Sequence, residues 1–208
     1  MKTEKINPDT IDYSYVSSFI PEVMNAMYNE SIAKQTNLYE IRDAFRVKQM
    51  QSKAWLISHI KNSNLNLNSK VLVIGSWLGF TSLILSKLGF TNITEVDPDV
   101  RLTEFAKHLN RSNKNFLHIT DDVNNIDLSN YQIIINTSCE HILEHRWFEN
   151  IKKGTQLFLH SNDLRGYDHV NICNDLNSMI EKYPMDLDYA GELDFINWRR
   201  FMMIGQKS

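Results

Sequence analysis

The chain has 208 residues, of which 42% are hydrophobic and 23% charged, and these proportions are typical of a globular protein with a sizeable core. Its formal net charge of −3 leaves no basic surplus to neutralise phosphates, which argues against tight general nucleic-acid binding. Two cysteines exclude a disulfide framework or a cysteine-based structural zinc site, and no apolar run reaches membrane-spanning length. The first residues lack the apolar stretch of a signal peptide, so we expect a cytoplasmic protein.

The segment before residue 69 favours helices. Residues 1–12 are polar and predict a loose arm. Apolar residues recur at helical spacing over residues 13–28, where Pro21 should start or kink the helix, and again over residues 39–60. We therefore predict an N-terminal helical cap over residues 1–68 and a cofactor-binding core over residues 69–208.

The most informative stretch is residues 71–79, Val-Leu-Val-Ile-Gly-Ser-Trp-Leu-Gly. Its four branched apolar residues predict a strand buried on both faces of a parallel sheet. Gly75 then allows a sharp turn, and Gly79 lies where the next helix should begin. A second strand over residues 92–96 ends in Asp97, about 20 residues after the turn, where nucleotide-binding βαβ units place the acid that holds ribose hydroxyls.

The remaining pattern alternates strands and helices. Strands are predicted over residues 116–119, 131–135 and 155–159, helices over residues 98–110, 140–148 and 171–182, and a closing hairpin over residues 186–196 and 198–205. Because ligands bind at the carboxyl ends of parallel strands, the polar residues after each strand are the candidates for chemistry.

The glycine pattern departs from the dinucleotide fingerprint, because Trp77 occupies the position of the middle glycine. A pyrophosphate needs bare backbone there, so the indole argues against NAD or FAD and less against a ligand without phosphates. The matching residues resemble motif I of class I S-adenosylmethionine (SAM)-dependent methyltransferases, in the O-methyltransferase version Gly-x-aromatic-x-Gly-aromatic-Ser/Thr. They are Gly75, Trp77, Gly79, Phe80 and Thr81.

This resemblance implies a Rossmann-like, mostly parallel seven-stranded α/β sheet with helices on both faces, a C-terminal antiparallel hairpin and the N-terminal cap. It implies SAM as the cofactor. The cofactor-binding residues that follow from it are Gly75, Ser76, Trp77, Gly79, Asp97, Asp121 and Asn136. Val73 is a departure, since the family usually has an acid there that helps to orient the methionine end. Trp77 is expected either to contact the sulfonium or to pack on the cap.

Polar residues after the fourth and fifth predicted strands form a candidate catalytic cluster: Asn136, Ser138, Glu140, His141, His160, Asn162, Asp163 and His169. Methyl transfer to a hydroxyl or amine requires a proton acceptor, and histidine has a suitable pKa. We predict His141 as that acceptor, with Glu140 as its orienting partner or as the alternative base. The structural alternatives remain open, with Glu140 as a helix-start acid and His141 as an ordinary helix residue.

No metal site is predicted. His141 and His145 are spaced to share a helix face, and Asn162 with Asp163 resembles the magnesium-binding pair of catechol-type O-methyltransferases. However, that group has an aspartate where this chain has Asn136, and a neutral amide is a poor anchor for Mg²⁺. Cys139 is expected to be a buried small thiol.

The predicted function is methyl transfer from SAM to a small polar acceptor, by O- or N-methylation. One alternative is another SAM-using transferase that moves an aminopropyl or aminocarboxypropyl group. A second is a catalytically inactive Rossmann-like binding module. The expected partner is a small-molecule substrate rather than a membrane or nucleic acid, and a homodimer is compatible with the sequence.

Overall fold

The computed structural model describes residues 2–28, 38–166 and 168–208. The strands are β1 Lys2–Ile6, β2 Lys70–Ile74, β3 Asn92–Asp97, β4 Leu117–Thr120, β5 Ile133–Asn136, β6 Gln156–Asn162, β7 Met185–Asp194 and β8 Arg199–Lys207. The α-helices are α1 Ser14–Ser17, α2 Ile20–Met27, α3 Leu38–Ala44, α4 Val47–Asn62, α5 Phe80–Lys87, α6 Val100–Leu109, α7 Arg146–Glu149 and α8 Leu176–Lys182. Short 3₁₀ turns cover Pro8–Thr10, Val123–Asn125 and Cys139–His141.

The strands form a single eight-stranded, mostly parallel sheet. Parallel pairs join β1 to β7, β2 to β3, β3 to β4 and β5 to β6, whereas β8 runs antiparallel to both β6 and β7. The predicted α/β class and the C-terminal antiparallel hairpin are therefore confirmed. The predicted number of seven strands is wrong, because β1 adds an eighth.

The chain divides into two compact units, Ile11–Asp122 and a second unit made of Met1–Thr10 with Val123–Ser208. Within the first unit the neighbouring strands are β2, β3 and β4, and within the second the order is β1-β7-β8-β6-β5. In the part of the chain that the structure describes, no helix combines the length and apolar character needed to cross a membrane.

The unit Ile11–Asp122 contains the predicted strand–turn–helix. The four branched apolar residues of β2 are all buried, as expected of a strand covered on both faces. Helix α5 begins directly after Gly79, whose φ of 70° is left-handed. Helix α6 is capped by Asp99, whose side chain accepts a 2.8 Å hydrogen bond from the backbone N–H of Arg101.

The other unit is built on the β6–β8–β7 ladder, and the buried aromatic side chains Trp147, Phe148 and Tyr183 pack against one another. Helix α8 begins with a capping box in which Asp175 and Ser178 exchange hydrogen bonds. Gly205 lies opposite the irregularity of β7, where a Cβ atom would be only 2.4 Å from the carbonyl oxygen of Asp186.

Three local predictions are corrected. Residues 2–6 form a strand paired with β7 rather than part of a loose arm. The helix predicted over residues 140–148 is a 3₁₀ turn followed by the four-residue helix α7. The helix predicted over residues 171–182 begins only at Leu176. The predicted N-terminal helices are present, although each of the two periodic stretches is divided into a pair of helices.

Candidate functional site

The loop after β2 has an unusual backbone. Gly75, Trp77 and Gly79 all have positive φ, of 61°, 52° and 70°. The loop is tied to the neighbouring strand because the N–H of Gly75 donates to the carbonyl of Val96 at 2.9 Å, and it closes through a 2.9 Å bond from Gly79 N–H to the Ser76 carbonyl. Trp77 is the non-glycine residue among the three, and a left-handed backbone is strained for it. Such a conformation persists only where surrounding contacts hold the backbone in place.

Asp97 supplies one of the enforcing contacts. Its Oδ2 accepts a 2.9 Å hydrogen bond from the N–H of Trp77, and its Oδ1 accepts one of 3.0 Å from the N–H of Asp99. Only 7% of the residue is exposed, and burial raises the pKa of its carboxyl although the two N–H donors oppose that rise. Each oxygen keeps a further lone pair, so the carboxylate can accept additional hydrogen bonds.

Gly79 is required by packing as well as by its backbone conformation. A Cβ atom there would lie 2.7 Å from Ala106 Cβ and 2.9 Å from both Ala106 Cα and Asn110 Nδ2. Asn110 is buried, and its Nδ2 donates to the carbonyl of Gly79 at 3.1 Å and to Glu95 Oε1 at 3.4 Å. Helix α6 therefore packs directly on this glycine. Sequence reasoning missed Asn110, because an asparagine at a helix end looks like an ordinary cap.

The indole of Trp77 is not a core side chain. It is half-buried, and the ammonium of Lys53 on α4 lies 5.8 Å from its ring centroid. A ring face that already attracts one cation is suited electrostatically to a sulfonium. Ser76 beside it is buried, whereas Asp121 is exposed just after β4 and its Oδ1 accepts from the N–H of Asp122 at 2.7 Å.

In the second unit, a buried ion pair lies beyond the end of β5. Glu140 in the Cys139–His141 turn is 2% exposed, and its Oε1 accepts from Arg200 Nη1 at 3.0 Å and from Asn162 Nδ2 at 2.5 Å. The other carboxylate oxygen, Oε2, is buried without a hydrogen-bond partner among the described residues. Arg200 was not predicted as a site residue, because an arginine pair at the start of an apolar strand gives no signal of the partners that it meets.

His141 lies beside this pair with its tautomer fixed. Its Nδ1 is 3.1 Å from the backbone carbonyl of Asp168, and a carbonyl can only accept, so in the neutral imidazole Nδ1 carries the proton and Nε2 the lone pair. The Nε2 atom is 4.0 Å from Glu140 Oε1. His169 stands edge-on to this ring, with 4.6 Å between the centroids. The structure thus brings Glu140, His141 and His169 together.

Other predicted residues have structural partners. Asn136 is fully buried at the end of β5, where its Oδ1 accepts from Ser138 N–H at 2.9 Å, while its Nδ2 has no hydrogen-bond partner within the described residues. Asn162 donates a hydrogen bond to Glu140, and Asp163 forms a 2.8 Å ion pair with Arg199. The two residues that resemble the catechol-type magnesium pair are therefore bound to other side chains of the protein.

The helix-face pairing of two histidines is also corrected. His145 stacks on Tyr183 with 4.7 Å between ring centroids, and no helix connects it to His141. His160 is buried in β6. Burial raises the pKa of the Cys139 thiol well above its ordinary value, which agrees with a small buried side chain rather than a nucleophile.

No family model and no curated protein matches this chain, but several solved structures do. A SAM-dependent methyltransferase from Aquifex aeolicus has a TM-score of 0.59 at 15% identity, over 74% of this chain and 89% of that chain. A geranyl diphosphate methyltransferase in complex with SAM has a TM-score of 0.65 at 8% identity, over 83% and 92%.

A geranyl diphosphate C-methyltransferase from Streptomyces coelicolor A3(2), in complex with Mg²⁺, geranyl diphosphate and S-adenosylhomocysteine, has a TM-score of 0.64 at 8% identity, over 83% of this chain and 85% of that chain. Identities this low carry information about architecture rather than about substrates. These matches show that the chain has the fold of class I SAM-dependent methyltransferases.

Proposed function

We propose that this protein is a SAM-dependent methyltransferase that acts on a small polar acceptor by O- or N-methylation. The observation that carries the proposal is the buried carboxylate of Asp97, held against the left-handed loop of Gly75, Trp77 and Gly79. On this fold, a carboxylate at the end of the second strand of a βαβ unit is the acceptor for ribose hydroxyls.

The cofactor would be held by residues of the glycine loop and the strand ends. Asp97 has free lone pairs for the two ribose hydroxyls. The main chain of Gly75, Ser76 and Gly79 would approach the methionine end, with Trp77 beside the sulfonium. Asp121 would accept from the adenine amino group, and it is exposed to solvent at the end of β4. Val73 stands where the family usually has an acid that helps to orient the methionine end, so that contact would be missing here.

His141 is the proposed proton acceptor. Its Nδ1–H is held by the Asp168 carbonyl, so the Nε2 lone pair is available, and its side chain is 37% exposed, so a substrate can reach it. Glu140 has a different role. Its Oε1 is bound by Arg200 and Asn162, so we assign it to positioning and charge balance beside His141 rather than to proton transfer. Asn136 would offer its Nδ2–H donors to the cofactor.

A small molecule is the proposed acceptor, since the net charge of −3 gives no general attraction for nucleic acid. The named substrates of the structural neighbours include geranyl diphosphate, and neighbours at 8% identity do not transfer that choice to this chain. The division into a cap over residues 1–68 and a core over residues 69–208, a cytoplasmic location and a homodimer stay predictions.

Titration calorimetry tests the cofactor assignment. SAM and S-adenosylhomocysteine should both bind, and NAD should bind far more weakly, because Trp77 occupies the position that a pyrophosphate needs. An absence of heat and of any thermal shift with both SAM and S-adenosylhomocysteine would refute the proposal. Isolated adenine serves as a control that lacks the ribose.

Product analysis tests the type of transfer. Incubation with SAM and a panel of small hydroxyl and amine compounds should release S-adenosylhomocysteine with an active acceptor. Release of methylthioadenosine instead would identify aminopropyl or aminocarboxypropyl transfer. Cofactor binding without either product across the panel would favour the inactive binding module.

A further inference from the structure

We propose that Glu140, His141 and His169 form a binding site for a divalent transition-metal ion such as Zn²⁺. This site goes beyond the proposed methyl transfer and does not rest on it, because all three residues and their partners belong to the unit that contains Val123–Ser208. Each of the three residues offers one ligand atom, and these atoms all lie within 4.8 Å of one another. Tetrahedral metal–ligand bonds of about 2.0–2.2 Å place ligand atoms about 3.3–3.6 Å apart, so the three side chains would move closer together on binding.

Both imidazoles already have the tautomer that a metal requires. His169 Nδ1 lies 2.7 Å from the carbonyl oxygen of Leu164, and His141 Nδ1 lies 3.1 Å from that of Asp168. Carbonyls only accept, so both Nδ1 atoms are protonated, and in the neutral rings both Nε2 atoms carry lone pairs. A backbone carbonyl that holds the far nitrogen of a ligating histidine is the usual outer support of protein metal sites.

Glu140 provides the second, independent observation. Arg200 and Asn162 both bond its Oε1, whereas its Oε2 is buried without a hydrogen-bond partner in the described part of the chain. A buried carboxylate oxygen normally has a partner, and an orphaned one requires an explanation. The Glu140 carboxylate lies beside the His141 ring, since its Oε1 is 4.0 Å from Nε2, and one of its oxygens is within 4.8 Å of a ligand atom of each histidine. A cation bound by this carboxylate would give Oε2 the partner that it lacks.

The charge balance selects the kind of metal. The guanidinium of Arg200 compensates the carboxylate of Glu140, so the donor set is two neutral imidazoles and one compensated carboxylate. Mg²⁺ and Ca²⁺ require several oxygen donors with uncompensated charge, whereas imidazole nitrogen suits Zn²⁺, Co²⁺ and Ni²⁺. Three protein ligands leave a coordination position open, as in catalytic rather than structural zinc sites.

A metal at this site would change the role of His141. Its Nε2 lone pair cannot both coordinate an ion and accept a proton. In the metal-bound protein, an acceptor hydroxyl on the open coordination position would instead lose its proton more readily because the ion lowers its pKa. Asp168, whose carboxylate is largely exposed beside both rings, remains available to take up that proton.

Metal titration of the full chain tests the proposal without any activity measurement. Chelator-treated protein should bind one Zn²⁺ per chain in calorimetry, bind Co²⁺ with visible absorption bands, and give no saturable signal with Mg²⁺. Loss of a group that only hydrogen-bonds to a metal ligand typically weakens metal binding roughly 10- to 100-fold. His141→Gln and His169→Gln each remove a ligand itself, so each should weaken Zn²⁺ binding by at least this factor. His108→Gln, on α6 and outside the cluster, is the matched control and should bind as the unmodified protein does.

Nitrogen-15 NMR of the unmodified protein provides a readout that does not depend on how the variants fold. Zn²⁺ should move the Nε2 resonances of two of the seven histidines and leave their Nδ1 atoms protonated. The proposal is overturned if Zn²⁺ does not bind stoichiometrically, if both glutamine variants bind it with unchanged affinity, or if the shifted nitrogens belong to other histidines.

Discussion

Replacement of Gly79 by alanine should destabilise the fold through two separable effects. A left-handed backbone costs an L-residue about 1–2 kcal/mol relative to glycine. The new Cβ would also lie 2.7 Å from Ala106 Cβ and 2.9 Å from Ala106 Cα, which is helix backbone, so α6 itself would have to move. Overpacking of this kind costs about 1–3 kcal/mol, which gives a combined loss of about 2–5 kcal/mol. The side chain of Asn110 cannot move away easily, because its amide donates hydrogen bonds to the carbonyl of Gly79 and to Glu95.

Gly154 provides the matched control. Its φ is 84°, and a Cβ atom there would meet nothing within 4 Å, so Gly154→Ala should carry the backbone cost alone. Urea unfolding followed by far-UV circular dichroism measures both variants. With a slope of about 2 kcal/mol per molar urea, the additional 1–3 kcal/mol should lower the Gly79→Ala midpoint by roughly 0.5–1.5 M below the control. Equal midpoints would refute the packing argument and leave ligand approach as the reason for the glycine.

Asp97→Asn should weaken binding of SAM and S-adenosylhomocysteine alike by roughly ten- to a hundredfold, because hydrogen bonds to a charged acceptor are worth about 1.5–3 kcal/mol. Unchanged affinity in calorimetry would contradict the assignment of Asp97 to the ribose. Burial raises the folded-state pKa of Asp97, so the stability that this group contributes to the ligand-free protein should be fully present below its ordinary pKa of 3.8 and be lost as pH rises through the folded pKa. Asp97→Asn should lack this dependence in unfolding measured as a function of pH. Arg200→Met should cost about 3–5 kcal/mol because it leaves the buried carboxylate of Glu140 uncompensated, and Glu140→Gln in the same chain should recover part of the loss; no recovery would contradict the pairing. Gly205→Ala should lower the melting temperature, because the new Cβ would lie 2.4 Å from the Asp186 carbonyl oxygen, and an unchanged melting curve would show that the β7 irregularity can absorb it.

The sequence was most informative where a structural element is specified locally. The branched run of β2, the glycine turn and the position of Asp97 depend on neighbouring residues, and all three appear where the pattern predicted them. The hairpin β7–β8 was recognised for the same reason. Strand β1 was missed because Lys-Thr-Glu-Lys-Ile reads as a polar arm, and its partner β7 lies far away in sequence. Polar, lysine-containing strands are common at sheet edges, where charged side chains hinder pairing with another chain.

The candidate site was only partly predictable. The residue types after β5 indicated chemistry, but the helix predicted there does not form as a single element. The side-chain amide of Asn171 donates to the carbonyls of Ile142, at 2.7 Å, and of Cys139, at 3.5 Å, which offers that backbone an alternative to helical hydrogen bonds. The Glu140–Arg200 pair joins residues 60 positions apart, so only the folded chain reveals it.

The pairing of β1 with β7 has a consequence for the edge of the sheet. Strand β7 lies between β8 and β1, so β1 covers hydrogen-bonding groups that would otherwise form the exposed edge of the sheet. Lys5 Nζ lies 3.1 Å from Glu192 and 3.5 Å from Asp194, and because Lys5 is exposed to solvent these ion pairs add a small attraction between β1 and β7. A chain that lacks residues 2–6 should present β7 as an open template for strand addition, and it should therefore aggregate during refolding while the full chain does not.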